Sequence, residues 1–257
     1  GYPRGAVYEG EFRGGLRHGE GAVRGHGGGE RSGVWVAGKL HCASGVEVSG
    51  ADGGRYEGGW HDDVREGHGV LVEADGARYD GEWHDGRRSG EGTATRPDGW
   101  RYQGQWLRGL RVGQGQLTTA GGEGCYTYVG GFDEQERFSG HGLRRERGGG
   151  SYEGAWKGGV PHGVGTQRDG DGAEYTGGWE GGARHGAGCL RLANGDVWEG
   201  GWEGGALVGR VAQRFADGGW YEGHVGATEA QPGGGVPEGH GVMVEADGER
   251  YTGEFAA

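Results

Sequence analysis

The apolar positions of this chain come in short clusters at a nearly fixed step. An aromatic residue, a glycine two positions on and a second aromatic two further on recur from Tyr8-Glu9-Gly10-Glu11-Phe12 to Tyr251-Thr252-Gly253-Glu254-Phe255. The clusters start at Tyr8, Arg31, Tyr56, Tyr79, Tyr102, Tyr128, Tyr152, Tyr175, Trp198, Tyr221 and Tyr251, with steps between 23 and 30 residues. A period in this range marks an array in which each unit packs mainly on its neighbours. With two rings four residues apart and glycine midway, all three positions of an extended strand project from one face.

The glycine column has no exception: Gly10, Gly33, Gly58, Gly81, Gly104, Gly130, Gly154, Gly177, Gly200, Gly223 and Gly253. Glycine weakens a strand and needs a reason there. One reason is room for the flanking rings to lie over the backbone and meet rings of the next repeat; the other is a β-bulge. Two turn signals divide each unit. The first is a Gly-rich link seven to thirteen residues after the start, such as Gly15-Leu16-Arg17-His18-Gly19-Glu20-Gly21. The second is an Asx-Gly pair four residues before the next start, such as Asp75-Gly76 or Asn194-Gly195, in which both residues tolerate positive φ. Each unit therefore reads as a β-hairpin, and the chain as all-β: an elongated, single antiparallel sheet, twisted and open like a solenoid. At ~4.8 Å per strand, ten units would span on the order of 100 Å. Residues 1–257 read as one array of ten full repeats and a truncated eleventh from Tyr251. Unpaired strand edges at its ends offer a route to a homodimer.

Composition agrees. Of 257 residues 71 are Gly, yet 10 Trp and 11 Tyr supply apolar area that a disordered chain lacks. A net charge of −12 works against a nucleic-acid binder, which neutralises phosphates with Lys and Arg. Cys42, Cys125 and Cys189 form no CxxC pair and suggest a reducing, cytoplasmic setting. No apolar run reaches the ~20 residues of a membrane-spanning helix, and there is no secretory signal or glycosylation sequon. A start at Gly1 without Met and a stop inside an eleventh unit suggest a fragment of a longer protein.

The unit Tyr152-Glu153-Gly154-Ala155-Trp156-Lys157-Gly158-Gly159-Val160-Pro161-His162-Gly163-Val164-Gly165, matched by Tyr175 to Gly188, resembles the MORN (membrane occupation and recognition nexus) repeat, and the resemblance covers residues 8 to 255. Tyr8, Gly10, Phe12, Tyr79, Gly81, Trp83, Tyr152, Gly154, Trp156, Tyr175, Gly177 and Trp179 are its structural core. The resemblance implies a non-enzymatic scaffold with protein partners, placed at the cytoskeleton, a cilium or a membrane. It also leaves open a phosphoinositide-binding module, or the accessory region of a phosphatidylinositol phosphate kinase or SET methyltransferase. Three units depart from the pattern. Repeat two has Arg31 for Tyr and His41-Cys42 for His-Gly, and repeat nine has Val208-Gly209-Arg210-Val211. Repeat ten carries an insertion within His224 to Glu238, a candidate partner contact.

No catalytic, cofactor-binding or metal-ligating residue emerges. His18, His41, His162 and His185 share a column with Glu66, Ser89 and Val112, which suits loop hydrogen bonding better than catalysis. There is no HExxH, GxSxG or paired Cys/His set. Gly33-Val34-Trp35-Val36-Ala37-Gly38-Lys39-Leu40 imitates a phosphate loop but lacks the Mg²⁺-binding hydroxyl and lies on a repeat strand. Arg87, Arg88, Arg108 and Arg111, on adjacent first turns, are a candidate basic edge for anionic phospholipid, extended by Arg144, Arg145 and Arg147.

Overall fold

The computed structural model describes residues 6–25, 28–48, 53–122, 124–226 and 236–255. They carry 22 β-strands of one antiparallel sheet. The chain groups into two compact units, residues 1–123 with 132–136 and residues 124–131 with 137–257. The first holds β1 (Val7–Arg13), β2 (Leu16–Arg24), β3 (Glu30–Val36), β4 (Lys39–Leu40), β5 (Cys42–Val48), β6 (Arg55–His61), β7 (Val64–Val72), β8 (Arg78–His84), β9 (Arg87–Thr95), β10 (Arg101–Leu107) and β11 (Leu110–Thr118). The second holds nearly all of β12 (Tyr126–Phe132), then β13 (Phe138–Glu146), β14 (Ser151–Lys157), β15 (Val160–Arg168), β16 (Glu174–Glu180), β17 (Ala183–Arg191), β18 (Val197–Glu203), β19 (Ala206–Arg214), β20 (Trp220–Gly226), β21 (Val236–Val244) and β22 (Arg250–Phe255). Among the described residues β1 pairs only with β2, and β22 only with β21, so both are open edges. No helix among the described residues is long and apolar enough to cross a membrane.

Both turns differ from the sequence expectation. The first is not a seven-residue link but two residues, Gly14-Gly15 (φ 59° and 77°), Asp85-Gly86 (49° and 71°) or Arg108-Gly109 (52° and 91°). Positive φ at both positions matches the right-handed twist of the flanking strands. The rest of the Gly-rich stretch is strand: Gly10 pairs with Gly21 and Phe12 with Arg17, so one residue of β1 faces three of β2. Gly19, at φ 62°, occupies this bulge. His18, His162 and His185 are therefore on strands, while His41 sits in the break between β4 and β5. At the second turn only the glycine is left-handed, Gly76 at φ 84°. Gly76 N donates to Glu73 O at 2.9 Å, and Asp75 Oδ1 accepts from Ala77 N at 2.8 Å. The aspartate supplies a side-chain acceptor that closes a three-residue loop.

The glycine column gives the rings their room, and the register shift of the hairpin begins just after it, as after Gly10, Gly104 and Gly154. Tyr102 lies over Gly104 and Gly115 and donates its hydroxyl to Gln105 O at 3.0 Å; Tyr56 donates to Gly59 O at 3.1 Å and Tyr175 to Gly178 O at 3.0 Å. Tyr56, Tyr79, Tyr152 and Tyr175 each then meet two tryptophans edge-on, and Tyr102 meets Trp106 and Phe132. Tyr79 is 5.3 Å from Trp83 of its own repeat and 5.2 Å from Trp106 of the next, and Tyr152 repeats this with Trp156 and Trp179 at 5.0 and 5.1 Å. The indole N–H of Trp106 donates to Gly92 O at 3.1 Å, and that of Trp156 to Gly142 O at 3.0 Å. A single sheet thus builds its core from rings folded onto their own backbone, with Val23, Ala94, Leu117 and Leu190 buried beside them. Burial pushes the Tyr56 and Tyr102 phenols up to about 12, so they stay neutral donors.

Candidate functional site

The predicted core residues lie on this ladder. Tyr79, Trp83, Tyr152, Trp156, Tyr175 and Trp179 are buried, while Phe12 on the β1 edge is 61% exposed. Ring faces along the ladder are occupied by other rings and, nine residues after the starts at Tyr8, Tyr56, Tyr79, Tyr102 and Tyr175, by an arginine. Arg17 stacks over Trp35 at 4.4 Å, Arg65 over Tyr56 at 4.6 Å and Arg184 over Tyr175 at 4.9 Å. Such contacts contribute ~1 kcal/mol each. The recurrence of Arg17, Arg65, Arg88, Arg111 and Arg184 at that spacing is the signal of this contact in the sequence.

The four arginines of the candidate lipid edge belong to two environments. Arg87 and Arg108 are exposed at the first turns. Arg88 instead lies over Tyr79 and Trp106, at 5.5 and 5.1 Å. Arg111 lies over Tyr102 at 5.6 Å, and its Nε donates to Glu136 Oε1 at 2.9 Å. Strand alternation turns Arg87 and Arg88 to opposite faces at the start of β9, while Arg108 lies in the turn itself and Arg111 on β11. Arg144 covers Tyr126 at 4.3 Å and pairs with Glu146 at 3.1 Å.

Repeat two holds a polar cluster on the aromatic side. Arg31 stands where a tyrosine would and stacks over Trp60 at 4.9 Å. Glu47 bridges it to Arg65: Oε1 is 2.6 Å from Arg31 Nη2 and Oε2 2.7 Å from Arg65 Nη2. Burial pushes the Glu47 carboxyl up, but hydrogen bonds and charge from Arg65 and Arg31 outweigh it and hold the carboxyl below its ordinary value of 4.5. A depressed folded-state value contributes stability that is present above the ordinary value and lost as pH falls through the folded one. Glu47→Gln is therefore expected to destabilise the chain most at neutral pH, with the gap to wild type closing below about pH 4. Chemical denaturation of both proteins across that range checks it; a gap independent of pH would refute the bridge.

Nearby, Lys39 Nζ lies 2.9 Å from Asp62 Oδ2, and its hydrogen bond holds the Asp62 carboxyl below the usual range. Gly33 is crowded by Cys42 and Leu40, and Lys39 follows a two-residue turn, so the phosphate-loop imitation has no anion cradle. The His41 and His61 rings are 4.5 Å apart. In repeat nine Trp198 takes the tyrosine place and Val211 occupies space above Gly200. The Trp198 Nε1 is buried with no hydrogen-bond partner, since it cannot copy the tyrosine hydroxyl. The repeat-ten insertion falls between β20 and β21, and residues 227–235 lie outside the described residues. Cys42, Cys125 and Cys189 are each half-buried.

The model of the MORN repeat family matches residues 8–23, 56–78, 79–101, 102–123, 152–174, 175–197 and 234–250, more than half of the chain. The units starting at Arg31, Tyr128 and Trp198 fall outside these matches, although each contributes paired strands. A search of the curated proteins gives no match. Among solved structures, the TCP10 domain of Danio rerio CPAP aligns over 89% of this chain and 98% of its own, at 13% identity and a TM-score of 0.38. The SAS-4 (dCPAP) TCP domain of Drosophila melanogaster, in complex with a proline-rich motif of Ana2 (dSTIL), aligns over 74% of this chain and 85% of its own, at 12% identity and a TM-score of 0.29. Likenesses at this level carry no argument about what this chain binds.

Proposed function

Because the chain belongs to the MORN repeat family, we propose that it is a non-enzymatic scaffold that holds protein partners along the first-turn edge of its hairpins. The resemblance to that family favours a cytoskeletal, ciliary or membrane-contact assembly as its place of work. The observation that carries the reading is the coupling of successive turns. In the first unit Gly38 N donates to Arg17 O at 2.9 Å, Gly86 N to Arg65 O at 3.0 Å and Gly109 N to Arg88 O at 2.8 Å. In the second, Gly159 N donates to Phe138 O at 2.9 Å and Gly182 N to Pro161 O at 3.0 Å. Each turn is thereby fixed against the preceding repeat, and the edge is preorganised for binding.

Side-chain chemistry along that edge varies from repeat to repeat: Leu16, Lys39, Val64, Arg87 and Leu110 hold equivalent positions. Leu107 and Leu110 pair across one turn and are 51% and 44% exposed. A rigid row of differing residues supports selective recognition, whereas a reaction centre would need one constellation in one place. Affinity capture with wild type and with a Leu107→Asp/Leu110→Asp variant of unchanged far-UV circular dichroism tests the reading. Proteins retained by wild type are expected to fall at least about tenfold on the variant; an unchanged set would overturn it. Lipid binding gives a second arm. Arg87 and Arg108 sit on a chain of net charge −12, so vesicles with phosphatidylinositol phosphates are expected to float no more protein than neutral ones. A gain abolished by Arg87→Glu/Arg108→Glu would replace the scaffold with a peripheral membrane module. A kinase or SET segment continuing the chain would make the array that enzyme's accessory region.

A further inference from the structure

The register between repeats places one residue of a second strand beside the last residue of the following first strand. In the step from repeat three to repeat four this pair is Glu66 and His84, hydrogen-bonded at 2.9 Å. In the step from repeat two to repeat three the same two places hold His41 and His61, with rings 4.5 Å apart. The next residue, Asp62, brings a carboxylate to the same spot, and one ligand atom from each of the three lies within 4.8 Å of the others. We propose that His41, His61 and Asp62 bind a divalent transition metal of the zinc, nickel or copper kind. Two imidazoles and a carboxylate are the donor set such ions favour, and three protein ligands leave a position for water.

The backbone around these ligands is already fixed. Asp63 accepts from Leu40 N through Oδ1 and donates its own N–H to Leu40 O, both at 3.0 Å. The turn carrying Asp62 is thus tied to the residue before His41, and His41 N donates to Val34 O at 2.9 Å. Leu40 itself is fully buried. Only the exposed side chains need to move. Ligand atoms ~2.1 Å from a metal lie roughly 3.5 Å apart, so closure asks for shifts of about 1 Å. Asp62 already attracts a cation, the Lys39 ammonium, which a metal would displace. The site also falls at the step where Arg31 replaces a rung of the aromatic ladder, so a bound ion would staple repeat two to repeat three there.

Isothermal titration of the metal-stripped chain with Zn²⁺ tests the proposal, with Co²⁺ absorption as a spectroscopic readout of the ligand set. One saturable site is expected. His41→Ala and His61→Ala should each weaken it at least about tenfold, as loss of a ligand costs more than loss of a group that only orients one. Lys39→Met should tighten it, and His84→Ala should leave it unchanged. All four side chains are exposed, so the variants retain the fold, and a Zn²⁺-dependent rise in Tm should disappear in the His41→Ala/His61→Ala double variant. Absence of saturable binding, or binding that persists in the double variant, would overturn the site.

Discussion

Gly81→Ala is expected to destabilise the first unit by about 3 kcal/mol, at the top of the range for overpacking a tight site. A Cβ at Gly81 would stand 2.5 Å from Gly92 Cα and 2.7 Å from both Glu91 O and the Tyr79 hydroxyl. Neither backbone atom can retreat without breaking the β8–β9 ladder, in which Gly81 pairs with Gly92. The Tyr79 ring cannot swing away either, because it is wedged between Trp83 and Trp106. Gly109→Ala separates this crowding from backbone strain. Gly109 has φ 91° and nothing within 4 Å of a Cβ, so its replacement should cost only about 1 kcal/mol. Urea denaturation of the two variants checks the order. Equal effects would mean that the glycine column answers to backbone freedom alone.

Trp106→Ala is expected to cost about 4 kcal/mol, within the range for removing a buried Trp. Trp106 touches Tyr79 at 5.2 Å, Tyr102 at 5.1 Å and the Arg88 guanidinium at 5.1 Å, and its N–H satisfies Gly92 O at 3.1 Å. Removal leaves a cavity between two repeats, a carbonyl without its donor and a guanidinium without its platform. Native-state hydrogen exchange should show the loss as local opening of β8 to β11. An effect confined to β10 would show that the tryptophan serves its own hairpin only.

The fold was legible because its signal is local. Two rings with glycine midway declare a strand, its face and its period within five residues, and repetition across Tyr8, Tyr79, Tyr152 and Tyr175 makes the pattern firm. Turn chemistry was less legible. In a stretch such as Gly14 to Gly21, glycines of the two-residue turn and of the bulge look alike, and only the pairing of Phe12 with Arg17 separates them. Contacts set by register between repeats were the least visible. Arg88 and Arg111 read as surface charges until the strand alternation turns them onto the rings. The Arg31–Glu47–Arg65 bridge spans 34 residues of sequence, and His41 and His61 meet although 20 residues separate them. None of these depends on a motif; each depends on which residue of one hairpin lies beside which residue of the next.

The central claim is that tyrosine and tryptophan bind consecutive repeats to each other and so form the wall that carries the turn edge. A double-mutant cycle on Tyr79→Leu and Trp106→Leu, read by native-state hydrogen exchange of β8 to β11, tests it most directly. Edge-on rings 5.2 Å apart in successive repeats are expected to show a coupling of about 1 kcal/mol. Additive effects, within about 0.3 kcal/mol, would contradict the claim and leave strand pairing alone to hold the repeats together.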